Sequence, residues 1–119
     1  MTYQTVNTLM AELASSLHCD YAYSAFKDGL RNRFLIFYYP GNDDLYADGV
    51  NYQEIAGLTI EFYAPTKEIN SETIIQNTLS AYGLTYDKTS VFISSEALNL
   101  TTYTMEVLIN GEQSQVQSV

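Results

Sequence analysis

Apolar and polar positions alternate most cleanly in the middle of the chain, in the stretch Gln53 to Tyr63. Leu58, Ile60 and Phe62 fall on one side there, and Thr59, Glu61 and Tyr63 on the other. A period of two built from β-branched and aromatic residues predicts a strand with one buried face. Glu61 sits between two large apolar residues, so the second face must reach water or a partner subunit. Pro65 removes a backbone donor and closes the run. A strand with one wet face belongs in an antiparallel sheet covered by helices on its other side.

The flanking segments supply such helices. Val6, Leu9, Met10, Leu13 and Leu17 recur at helical spacing, predicting a helix from about Thr5 to Leu17 with Thr2 or Thr5 as its cap. Cys19 to Tyr23 is a short extended piece, and Lys27 to Asn32 a turn rich in glycine and charge. Phe34 to Tyr39 is a continuous apolar run stopped by Pro40-Gly41. It is short enough for a strand that lies centrally, and it should form an antiparallel hairpin with the Gly57–Tyr63 segment across the acidic loop Gly41 to Gly49. After Pro65, Ser71 is placed to cap a second helix. Ile74, Ile75, Leu79 and Tyr82 form its buried stripe, Glu72 favours its dipole, and Gly83 supplies the left-handed stop. Tyr86 to Ser95 then carries the apolar stretch Val91 to Ile93, and a link over Glu96 to Asn99 leads to a last alternating strand. There Tyr103, Met105, Val107 and Ile109 oppose Thr102, Thr104, Glu106 and Leu108. The order helix, strands, helix, strands, with no repeat and no linker, predicts the α+β class: a mostly antiparallel sheet packed against two helices in one α/β sandwich, over residues 1–111. Residues 112–119 lack the apolar content to pack and read as a flexible tail.

Composition narrows the partners. The chain of 119 residues suits one domain, in which roughly 65% of the unfolded surface is buried. No apolar run approaches the ~20 residues that cross a bilayer, and the first residues show no signal peptide, so a soluble intracellular product with no membrane partner is expected. Fourteen acidic residues stand against five basic ones, a net charge of −9, too few cations for tight phosphate binding. An acidic surface repels DNA, which suits a channel wall as well as an ordinary soluble protein. Eleven tyrosines and no tryptophan point either to half-buried strand positions or to interfaces, since tyrosine buries a ring while its hydroxyl stays available to water or a partner.

Candidate chemistry changes this picture little. His18, Cys19 and Asp20 place a thiol beside an imidazole and a carboxylate, but adjacent residues of an extended chain point to opposite faces, and no second histidine exists. A structural cysteine is the better account, and a lone cysteine excludes an internal disulfide. Asp44, Asp48 and Gly49 match three positions of a calcium-binding loop, yet Tyr46 and Ile55 occupy positions that need oxygen ligands. Solvated turn aspartates, available to a charged partner, are the reading that remains for Asp43, Asp44 and Asp48. Paired catalytic carboxylates, a glycine-rich phosphate loop and a metal cluster are all missing from the pattern, so no enzyme, cofactor or metal is expected.

Several pieces taken together resemble one family. Phe34-Leu35-Ile36 with Tyr38-Tyr39-Pro40, Tyr46-Ala47-Asp48-Gly49, the strand ending Glu61-Phe62-Tyr63, the second helix, Tyr86-Asp87-Lys88, Ile93-Ser94-Ser95-Glu96 with Leu98, and Tyr103 with Met105-Glu106-Val107 are similar to tail terminator proteins of Gram-positive siphophages and prophages. The resemblance runs from the first helix to about Gly111. It implies a structural virion protein that forms a hexameric ring on the finished tail tube, ends its polymerisation and offers the surface joining tail to head. Tail tube protein and a head-closure or neck protein would be its partners, and DNA only a cargo passing through. The location implied is the head-proximal end of the tail, after assembly in the host cytoplasm. Tyr38, Tyr39 and Tyr63, on the sheet's outward face or edge, and Asp43, Asp44 and Asp48, in the loop, are then the expected interaction residues. Another neck protein, a head-closure or joining ring, would share the acidity and size.

Overall fold

In this computed structural model the described residues are 1–29, 31–41, 45–47 and 50–109, with the backbone alone for 45–47 and 50–53. Helix α1 spans Tyr3–Leu17. Thr2 is its cap: the Thr2 hydroxyl accepts the Thr5 N–H at 3.0 Å, and the Thr5 hydroxyl accepts the Thr2 N–H at 3.3 Å. Val6, Leu9, Met10, Leu13 and Leu17 are buried, as their spacing predicts. His18 turns left-handed, at φ 56°, and the chain enters β1 (Asp20–Tyr23). Cys19 packs half-buried against the core, and burial raises its thiol above the ordinary value, which disfavours a thiolate.

The remaining elements are β2 (Phe34–Tyr38), β3 (Leu45–Ala47), β4 (Val50–Ala64), α2 (Ile69–Ala81), β5 (Asp87–Ile93) and β6 (Leu98–Ile109). The sheet order is β1-β2-β4-β6-β5, with β3 added to the free end of β4. All pairs are antiparallel except β1 with β2, so the α+β class with a mostly antiparallel sheet and two helices holds. Phe34–Tyr38 does lie beside Leu58–Tyr63, with Leu35 opposite Phe62 and Phe37 opposite Ile60. The two are not a simple hairpin, however. The stretch expected as an acidic loop contains β3, which pairs with Val50, Asn51 and Gln53 at the start of a much longer β4. Where Pro40 and Gly41 cross that strand, the Gly57 N–H donates to the Gly41 carbonyl at 2.8 Å, and a Cβ on Gly57 would meet the same oxygen at 3.1 Å. Only glycine permits that approach without a shift.

One sheet face meets the helices. Leu35, Phe37, Leu58, Ile60, Phe62, Tyr103, Met105, Val107 and Ile109 join α1 and the Ile75 and Leu79 side of α2 in a single core. Two expectations about α2 are corrected. Ser71 is not its cap: the helix begins at Ile69 after Glu68, and Ser71 donates instead to the Glu68 carboxylate at 2.6 Å. Ile74 is exposed, and Ser71 and Glu72 take the buried stripe with Ile75 and Leu79. The reason is ionic: carboxylates at this end of α2 meet cations brought by other elements, which draws the 71–72 side inward. Gly83, at φ 78°, ends the helix as expected.

Arg33 fastens this corner. Its guanidinium donates to both Glu68 oxygens, at 2.9 and 2.8 Å, and to the Leu17 carbonyl at 2.6 Å, tying the end of α1, the start of β2 and the start of α2. The planar fork matches a carboxylate in a way a lysine cannot. Arg33→Lys is therefore expected to cost about 1–3 kcal/mol, read by urea unfolding. The Arg33 hydrogen bond also holds the Glu68 carboxyl below its ordinary value, against the opposing effect of burial. A lowered folded value means that the stabilisation is present above the unfolded value near 4.5 and is lost as pH falls through the folded value. Loss of stability below that point should be shallower in Arg33→Lys, and an unchanged acid profile would count against the tie.

Candidate functional site: an aromatic groove on the open sheet face

Strand alternation puts a second set of side chains on the face turned away from the helices. Phe34 stands opposite Tyr63, Ile36 opposite Glu61, and Tyr38 opposite Thr59. No described helix covers this face. The parallel β1–β2 pair needs a crossover, and because α1 and α2 occupy the other face, the described residues of the connection, 24–29 and 31–33, lie across this one. Phe26 from that connection meets Phe34 edge-on at 5.6 Å, and the Arg31 guanidinium lies 3.9 Å above the Phe26 ring. Phe34 and Tyr63 stack at 4.6 Å with 17° between planes. A groove of about 1120 Å³ remains beside the connection, lined by Phe26, Phe34, Ile36, Glu61, Tyr63 and Leu98 among others.

Glu61 lies in the wall of this groove, half-buried. The Tyr63 hydroxyl donates to its Oε1 at 3.0 Å and the Tyr38 hydroxyl to its Oε2 at 3.2 Å. Burial first, and then the bond to Glu61, hold the Tyr63 phenol well above its ordinary value; burial and the Glu61 charge raise Tyr38 in the same direction. Both phenols thus stay protonated through the ordinary pH range and remain donors that fix the carboxylate's orientation.

The expected interaction residues separate. Tyr38 and Tyr63 come together around Glu61. Tyr39 does not join them: one residue further along an extended chain, it belongs to the opposite side, packing edge-on against Tyr3 of α1 at 5.1 Å and beside Tyr23 at 6.0 Å. Burial there, with Tyr23 adding to it, pushes the Tyr39 phenol up to about 12. Asp43, Asp44 and Asp48 lie outside the described residues, as does the tail 112–119. Sequence reasoning did not find the contribution of Phe26 and Arg31. The available signal was one aromatic residue set between the extended piece at Cys19–Tyr23 and the charged turn. Glu61 was recognised as the polar break in a strand but not as the acceptor for two tyrosines, which only the strand register supplies.

Among the described residues no group of three or more His, Cys, Asp or Glu side chains is placed to hold a metal ion. None of the described helices is long and apolar enough to cross a membrane. The groove combines flat aromatic surface, aliphatic surface and an oriented carboxylate, a set suited to gripping another chain. No protein-family model matches this sequence, and a search of curated proteins finds no match either.

Proposed function

We propose that this protein is a structural ring component of a phage tail, the terminator that caps the tail tube, ends its polymerisation and presents the surface on which the head docks. The sequence resemblance supplies the family. The observation that carries the reading to the molecule is the sheet face left open by both helices, with Phe34, Tyr38, Glu61 and Tyr63 on it. A face with large aromatic rings and few mobile side chains loses little conformational entropy on contact, which favours subunit or partner packing. At one edge of the same sheet, β5 pairs among the described strands with β6 alone, and its Val91 and Phe92 are exposed. An edge of this kind readily accepts a neighbouring chain. In a ring, the β5 edge contributes to subunit contacts and the face with Tyr38 and Tyr63 is left to a partner protein, while the acidic residues Asp43, Asp44 and Asp48 are expected to supply negative charge that repels passing DNA.

The test is assembly on a template. Purified protein, scattering light as a monomer or a ring, is mixed with tail tubes of the same phage and viewed by electron microscopy. Rings on one tube end, with tubes no longer growing after their addition, are the expected result. Binding to the head opening and not to tubes would move the protein to the head-closure or joining class. A protein that stays monomeric and unbound with both would overturn the reading.

A further inference from the structure

We infer that the groove beside Glu61 receives an arginine side chain from an extended segment of a different protein, its guanidinium paired with the Glu61 carboxylate and its stem lying on Phe34 and Ile36. The charge inventory leads there. Arg31 pairs with Asp20 at 3.0 Å and lies 3.7 Å from Asp28, Arg33 pairs with Glu68, and Lys67 and Lys88 both pair with Glu72. The fifth cation, Lys27, is exposed and makes no ion pair among the described residues. Among the described residues Glu61 therefore has two phenol donors and no cation, although it sits half-buried in an aromatic wall. Glu96 lines the same groove, close enough for its charge to act on Tyr63, and has no cation partner among the described residues either. The two arginines that reach this region, Arg31 and Arg33, are each neutralised by their own carboxylates, so the groove's uncompensated charge is negative.

Shape selects among cations. Carboxylate oxygens held by two hydroxyls keep free lone pairs in a fixed plane, which a planar guanidinium meets with two parallel bonds and an ammonium cannot. Flat rings add stacking surface, and Arg31 over Phe26 at 3.9 Å already demonstrates a guanidinium seated against this wall. A second copy of this chain is a poor donor, with a net charge of −9 and four of its five cations engaged. The occupant is a cationic segment of another protein, and this holds whether or not the chain caps a tail.

The experiment is a backbone NMR titration of the full chain with a capped pentapeptide carrying one central arginine flanked by leucines, against the same peptide with citrulline, its neutral isostere. The arginine peptide should shift the amides of Ile36, Glu61, Tyr63 and Leu98 and bind about tenfold or more tighter than the citrulline peptide. Glu61→Gln should abolish that difference, and Glu96→Gln should reduce it. Equal binding of the two peptides, no binding of either, or shifts centred on Val91 and Phe92 would overturn the proposal. Spermidine competing as well as the arginine peptide would overturn the guanidinium assignment. If Glu61→Gln does not fold, the comparison of the two peptides on the unchanged chain still decides.

Discussion

Replacing Lys67 and Lys88 together by methionine should lower stability by about 3–5 kcal/mol, more than removing the glutamate they share. Glu72 is only 4% exposed, and each of its oxygens meets one ammonium, Lys67 at 2.7 Å and Lys88 at 2.8 Å, with the Thr101 hydroxyl at 3.3 Å. The lysine side chains are 43% and 34% exposed, so either can turn to water once the carboxylate is gone. The carboxylate has no such escape. Glu72→Leu should accordingly cost less than half as much as the double lysine variant. The pH dependence should also change sign. Burial raises the Glu72 carboxyl and the two lysines outweigh it, leaving the folded value lowered, so native stabilisation is present above the unfolded value and is lost as pH falls through the folded one. Without the lysines burial outweighs the long Thr101 bond and the folded value rises above the unfolded one. Stability then is fully present below the unfolded value and declines as pH rises through the folded value. Urea unfolding at neutral and mildly acidic pH reads both effects. A loss that is the same at both pH values, or a Glu72→Leu loss as large as that of the lysine pair, would show that the carboxylate is not the stranded charge.

Tyr103→Ala should cost a similar amount, about 3–5 kcal/mol, because the ring is fully buried and leaves a void between the sheet and α2. Its hydroxyl donates to the Gln76 side-chain oxygen at 3.4 Å, and its ring meets Tyr86 edge-on at 5.4 Å. Tyr103→Phe keeps the ring and loses only that long bond, so about 1 kcal/mol or less is expected. Chemical denaturation of the pair separates packing from hydrogen bonding. Near-equal losses would place the stabilisation in the hydroxyl. Against a total of about 5–15 kcal/mol for a domain of this kind, the alanine variant should be folded only marginally.

Local periodicity carried most of the architecture. The α1 stripe, the alternation at Leu58–Phe62 and that at Tyr103–Ile109 all bury the residues their spacing names, because each pattern faces one core. Misreadings arose where a long-range partner outweighed a local signal. Ser71 has the chemistry of a cap, but its hydroxyl donates to the nearby Glu68 carboxylate, which Arg33, distant in sequence, holds in place. Glu72 reads as a dipole residue at an exposed helix start, and nothing near it announces that Lys67 and Lys88 converge on it. The groove was legible only in halves. Glu61 and the flanking tyrosines are visible in the sequence, whereas their convergence depends on the β2–β4 register, and the Phe26 wall depends on which sheet face the crossover takes.

The position of β4 in the sheet also sets an order of events during synthesis. Its neighbour on one side, β2, has already been made when β4 leaves the ribosome, but its neighbour on the other side is β6, the last of the described strands. Glu54 pairs with Ile109 and Ala64 with Asn99, so half of the backbone groups of the longest strand wait for their partners until nearly all the described chain has emerged. Closing those distant pairs carries loop entropy before any contact repays it, which makes folding slow relative to a helical domain of equal size. Until β6 arrives, the nascent chain holds an apolar strand with an open edge, the kind of surface on which chaperones act.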